Sequence, residues 1–356
     1  MEAPNLVRIL LLAVVSALLT VACAGNEGAP QDITPPSDTI AFGARTVDRD
    51  DQYGLYLVRP DGSELQELVN EPGFIFFPRW SPSGERLAYI VGTEGEESAG
   101  TLRVYDFRTG EATTVSEQAL PSLHGPAMAW SPDGGRLAFS EDAGARLLRI
   151  FDVDRDTYVD LPEIRGTTPD WSSSGDVLVY ISSAVPGREG DLYVMETDGE
   201  NARPLLERPG LEANPRWSPD GAQIAFWTAP AGRPEERALV VVSRDGETVN
   251  DLGSGFAAVW SPDGAGLAYS GPDPGNPANL ELYTLTLAQG VPRALSAAPS
   301  VALDSWPAWS PEGDRLAYVA LVDQQTAFLC VAQVEPRDAD CLGLPDELIP
   351  SAPAWR

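Results

Sequence analysis

From Thr39 onward, apolar and polar residues alternate with a period of two, the pattern of half-buried strands rather than helices. In Arg86-Leu-Ala-Tyr-Ile90, Leu87 and Tyr89 point to one face and Ala88 and Ile90 to the other. Related runs start at Arg136 (RLAF), Val177 (VLVY), Gln223 (QIAF), Gly266 (GLAY) and Arg315 (RLAY). Each follows a turn: Trp80-Ser-Pro-Ser-Gly, Trp130-Ser-Pro-Asp-Gly, Trp171-Ser-Ser-Ser-Gly, Trp217-Ser-Pro-Asp-Gly, Trp260-Ser-Pro-Asp-Gly and Trp309-Ser-Pro-Glu-Gly. Where Pro is present it presets φ in a tight turn, and the Gly accepts a left-handed backbone. A further apolar run follows in each unit, for example 102–106, 147–151 and 192–195, then a second turn and a fourth strand. Each unit therefore reads as a four-stranded meander.

Successive tryptophans, ending with Trp355, lie 50, 41, 46, 43, 49 and 46 residues apart. Periods of this size fit propeller blades. The first unit, Thr39 to Asn70, lacks a Trp strand, whereas the chain ends in one, Pro353-Ala-Trp355. The two fragments complete each other. The sequence thus predicts an all-β fold over 39–356: a seven-bladed β-propeller of four-stranded antiparallel blades. Pairing of the C-terminal Trp strand with the N-terminal blade would close it and leave no free sheet edge. A buried aromatic removes about 150–250 Å² from water, on the order of 4–6 kcal/mol gross at about 25 cal/mol per Å². Trp80, Trp130, Trp171, Trp217, Trp260, Trp309 and Trp355 are accordingly read as structural staples rather than ligand-stacking residues.

The six W-S-[PS]-x-G elements and the strands after them resemble the WD40-like (PD40) repeats of the TolB family and of the propeller domains in prolyl oligopeptidase-type enzymes. The resemblance implies a periplasmic binding propeller with a protein partner at the cell envelope. TolB-type proteins have six blades and a separate N-terminal domain; this chain departs on both counts, so their peptidoglycan-associated partner is not carried over. The peptidases add an α/β-hydrolase domain with a G-x-S-x-G elbow and a His base. The sequence contains no such elbow and leaves no room for that domain.

Composition narrows the chemistry. The 356 residues carry a net charge of −29, all 24 basic residues are Arg, and His124 is the sole imidazole. Without Lys there is no Walker phosphate loop, Schiff base or Ser-Lys dyad; with one His there is no multi-His zinc site. The acidity opposes binding to nucleic acid or anionic lipid. At the N-terminus, Arg8 precedes an apolar run, Ile9 to Ala22, that is short for a membrane span. Leu19-Thr-Val-Ala-Cys23 resembles a lipobox, although Thr20 and Glu2 depart from the usual pattern. Residues 1–23 are therefore read as a signal peptide with Cys23 as the lipidation site, 24–38 as a flexible tether, and the protein as an exported, membrane-anchored lipoprotein. A plain secretory signal and an uncleaved anchor remain alternatives.

Long loops alternate with uniform short turns, so binding is expected on the loop-rich face. The candidate residues there are Phe76, Phe77, Arg79, His124, Asp170, Arg216 and Trp306, an aromatic and Arg mixture suited to interfaces. His124 has no catalytic partner in view. Asp152, Asp154 and Asp156 match part of an EF-hand skeleton, but Thr157 replaces the required Gly and the context reads as a hairpin, so no cofactor is assigned and Ca²⁺ is the only candidate. Cys330 and Cys341 fall opposite each other on consecutive strands, as a disulfide or as two buried thiols. The reading is a monomeric, non-catalytic propeller that binds protein or peptide. A carboxylate-based glycan-binding or glycan-processing propeller and a propeller subunit serving a separate peptidase are the alternatives.

Overall fold

The computed structural model describes residues 37–356 apart from 48–51, 94–97, 122–124, 183–189, 207, 277–278, 296–306, 322–325 and 337. The lipobox-like Cys23, the signal segment and the tether up to residue 36 lie outside the described residues, as do His124 and Trp306.

Strands make up all the regular structure among the described residues. They form five four-stranded antiparallel sheets and one of eight strands. The larger sheet is two meanders, from Phe74 to Ala119 and from Met128 to Tyr158, bridged by the pair Ala119 and Glu141. In the sheet that starts at Ile40, the edge strand is Leu348–Trp355, paired antiparallel with Ile40–Thr46 so that Ile40 faces Trp355. Backbone bonds between Thr39 and Arg356 in both directions extend the pairing by one residue. The shortest strands have two residues: Thr157–Tyr158 and Arg293–Ala294 at the end of their meanders, and Ala308–Trp309 at the start of its own.

Apolar alternation makes each sheet sticky on both faces, and every neighbouring pair of meanders shares a buried cluster. The last meander packs on the first through Ala317, Val319 and Leu329 against Ile40, Phe42 and Trp355.

The repeated turn has a physical explanation. The Ser after each Trp is buried, and its hydroxyl accepts the backbone N–H five residues on: Ser81 from Arg86, Ser131 from Arg136, Ser172 from Val177, Ser218 from Gln223, Ser261 from Gly266 and Ser310 from Arg315. The Gly that completes the motif has φ between 68° and 73° at all six positions, which only Gly adopts without strain. In Ser-Pro-Asp-Gly the Asp accepts the Ser hydroxyl, as Asp133 does from Ser131, and this bond holds its carboxyl below the usual range.

The tryptophans are tied by their indole N–H groups to the backbone of the preceding meander. Trp130 donates to the Arg79 carbonyl, Trp171 to Ala129, Trp260 to Arg216, Trp309 to Val259 and Trp80 to Ala354. The acceptor is always the residue before the neighbour's own Trp. Trp355 departs from the rule and donates to the Asp38 carboxylate at 2.9 Å, while the indole nitrogen of Trp217 has no hydrogen-bond partner. Cys330 and Cys341 pair directly across adjacent strands and are joined by a disulfide.

Candidate functional site

Five of the first strands carry Pro two residues before the Trp: Pro78, Pro169, Pro215, Pro307 and Pro353. Pro cannot donate to the ladder and is tolerated in a sheet at edges and bulges. Four first strands bulge next to this position, with one extra residue between Phe76 and Arg79, Thr167 and Asp170, Ala213 and Arg216, and Phe256 and Val259. The residue three before the Trp is left-handed in each: Phe77, Thr168, Asn214 and Ala257, at φ of 34°, 49°, 53° and 55°. The bulge re-aims the side chains that follow it.

The residue before the Trp, three times charged, meets its counterparts in one cleft of about 390 Å³. Six first strands contribute, and the cleft is walled by Trp80, Trp217, Trp260, Trp309 and Trp355. These five line the cleft while remaining packed between meanders, with Trp217, Trp260 and Trp355 under 10% exposed. Arg79, Asp170 and Arg216 are its charged lining residues.

Arg216 donates to the carbonyls of Pro215 (2.9 Å) and Pro126 (2.8 Å), the latter before the first strand of another meander. Its guanidinium stands 4.0 Å from the Asp170 carboxylate, and the other Asp170 oxygen accepts the Trp217 backbone N–H at 2.8 Å. Burial pushes Asp170 up despite the two guanidiniums, and lowers both arginines, Arg216 to about 10. Arg79 feels Asp170 through space but makes no hydrogen bond or ion pair with its side chain among the described residues. The site thus holds two cations against one anion.

Several candidates move from where the sequence placed them. Phe76 is 3% exposed in the core between two meanders, so it packs rather than binds. Arg79, Asp170 and Arg216 are penultimate residues of strands that run into the short turns, so they lie at the short-turn end and not on the loop-rich face. Phe77 packs against the cluster of Trp227, Ala229, Phe256 and Ala257, on which Ala213 and Ala352 of other first strands also pack, so it is not a lining residue of the cleft. The acidic stretch around Asp154 is a hairpin, with Asp152 facing Thr157, and its carboxylates are taken by cations: Asp152 by Arg155 and Asp154 by Arg86. No group of three or more His, Cys, Asp or Glu side chains among the described residues could hold a metal ion.

Glu212 was missed altogether. It is 1% exposed on a first strand, accepts the Leu192 N–H at 2.6 Å through one oxygen, and has no partner for the other. Burial, reinforced by Asp191, pushes its carboxyl up to about 7 from 4.5. The folded protein then holds a proton that the unfolded chain releases, so this stabilisation is complete below pH 4.5 and fades as pH rises through 7. We expect Glu212→Gln to flatten that decline and to exceed the parent at pH 8 by on the order of 3 kcal/mol in urea unfolding. Equal pH slopes for the two proteins would refute it.

Comparison with known proteins places the repeats. Residues 178–328 match the family described as TolB beta propeller domain. The Bacillus subtilis (strain 168) protein named Uncharacterized peptidase YuxL is 30% identical over 181 residues, 49% of this chain and 18% of that protein. A Protein TolB homolog of Chlorobium luteolum is 33% identical over 110 residues, 30% of this chain and 24% of its own length. The chain thus spans less than a quarter of either relative. The crystal structure of TolB from Acinetobacter baumannii superposes with a TM-score of 0.54 at 17% identity, over 92% of this chain and 68% of that one, a likeness of fold.

Proposed function

Since this chain is a TolB-like protein of the PD40 repeat class, we propose that it is a non-catalytic binding propeller of the cell envelope that holds a protein or peptide partner in the cleft around Arg79. The observation that carries this reading is the convergence of six first strands on one cleft with a surplus cation and no hydroxyl, thiol or imidazole side chain in its lining. Such a lining can hold and orient a ligand, and its one carboxylate, Asp170, is already engaged by Arg216 and the Trp217 N–H. On this reading the meanders close as a seven-bladed monomeric ring. The pairing of Leu348–Trp355 with Ile40–Thr46 and the bond from Trp80 to Ala354 support that closure. Export and a lipid at Cys23 would put the ring beside envelope proteins, in line with the resemblance to TolB.

A photo-crosslinking residue placed at Ala308 in the cleft should capture a discrete partner in the native envelope, and Arg79→Gln should abolish the capture. The same probe at Val249, exposed on an outer strand, should not give that product. Equal crosslinking at both positions, or none at Ala308, overturns the reading. A second reading, a propeller serving a separate peptidase, draws on the likeness to the Bacillus peptidase and predicts that the captured protein is a hydrolase.

A further inference from the structure

We infer that the cleft is a carboxylate site, in which Arg79 binds the carboxylate at the C-terminal end of a peptide, a conclusion that rests on the binding role proposed above. Two observations converge on it. The first is charge. Asp170 is the one acidic residue in the lining, and it is already engaged by Arg216 and by the Trp217 N–H. Arg216 spends two of its donors on the carbonyls of Pro215 and Pro126. The planar guanidinium of Arg79, which suits two-point contact with a carboxylate, is left with no hydrogen bond or ion pair among the described residues. The protein's net charge of −29 does not cancel this local surplus, because charges beyond about 8 Å are largely screened at physiological ionic strength.

The second observation is the wall. Around the cation stand Val259, Pro307, Ala308, Pro353 and Ala354 together with indole rings. Prolines offer no N–H, so this part of the wall favours an apolar body behind the anionic head rather than a second hydrogen-bonding group. A volume of about 390 Å³ lies within the range of small-ligand pockets, roughly 300–1,000 Å³. It is too small for a folded surface to enter.

The binding role proposed above then identifies the ligand: the end of a peptide that carries an anionic group is the C-terminus, and capture of a terminal carboxylate is an established mode of peptide recognition.

Calorimetric titration of the whole chain with N-acetylated Ala-Ala-Phe tests this, using the free acid, the amide and, separately, acetate. The free acid should bind at least tenfold more tightly than the amide, and Arg79→Gln should erase the difference while leaving the unfolding midpoint nearly unchanged. Arg79→Lys, which keeps the charge but not the fork, should fall in between. If acid and amide bind alike, or if Arg79→Gln preserves the preference, the carboxylate assignment fails while peptide binding in the cleft stands. If acetate binds as tightly as the free acid and depends equally on Arg79, the anion site stands and its ligand is a small carboxylic acid, which overturns the peptide-end assignment. Absence of Arg79-dependent binding for all three probes at 10 mM or below, roughly ten-thousandfold above a dissociation constant of about 1 μM, overturns the proposal itself.

Discussion

Trp355→Ala will lower the stability of the protein by about 3–5 kcal/mol, the range for removing a large aromatic from a packed core. The indole is 9% exposed, lies in the cluster shared by the first and last meanders, donates to Asp38 at 2.9 Å and sits beneath the Arg315 guanidinium at 5.0 Å. Arg315 also reaches Asp38, at 3.1 Å, so ring, cation and carboxylate form one unit that ties both chain ends together. Against a typical total of about 5–15 kcal/mol, the loss is a large fraction. Hydrogen exchange should locate it: amides of Ile40–Thr46 would lose protection before those of Gln223–Ala229 on the far side of the repeat series. Trp355→Phe keeps most of the volume but forfeits the bond to Asp38, and should cost about 1 kcal/mol beyond the smaller ring's packing loss. A Trp355→Ala protein within 1 kcal/mol of the parent, with unchanged exchange in the first strand, would show that the end-to-end pairing carries little of the fold.

Asp170→Ala should be nearly as severe, about 3–5 kcal/mol, because it leaves Arg216, 7% exposed at its side chain, as a buried cation without its carboxylate. It also orphans the Trp217 N–H. Asp170→Asn retains an acceptor for that N–H and isolates the charge, so it should fall between parent and Ala. The pair Asp170→Ala with Arg216→Met removes both ions, and should recover a substantial part of the loss, since replacing a whole buried ion pair by apolar groups is often close to neutral. Denaturant unfolding of the parent, Asp170→Ala, Arg216→Met alone and the double variant closes a double-mutant cycle. A coupling energy under about 0.5 kcal/mol would mean that the two side chains act independently.

The strands, their turns and the all-β class were legible because Trp, Ser and Gly each have one local job, repeated six times. The buried Ser hydroxyls and the Gly backbone angles show what those jobs are. The cleft was less legible. Counting strict alternation along Phe74–Trp80 misses the extra residue between Phe76 and Arg79, and with it the difference between Phe76 in a core and Arg79 in a cleft. A signal was available in the column between Pro and Trp: Arg79, Asp170, Arg216, Ala308 and Ala354 all occupy it, and its charges stand out once the repeats are aligned on that pair. Glu212 left no such trace, since its burial depends on the Leu192 backbone, 20 residues away on another meander.

The chain of indole bonds described above has a consequence for how such a chain can be rearranged. Five tryptophans dock on a main-chain oxygen, which any amino acid supplies, so a duplicated or deleted unit finds its handhold whatever sequence its neighbour has. Trp355 alone grips a side chain, Asp38, and that makes this junction a keyed lock among interchangeable couplings. Tandem repeats can therefore drift and multiply elsewhere along the polypeptide, while the seam evolves under the constraint that key and lock change together.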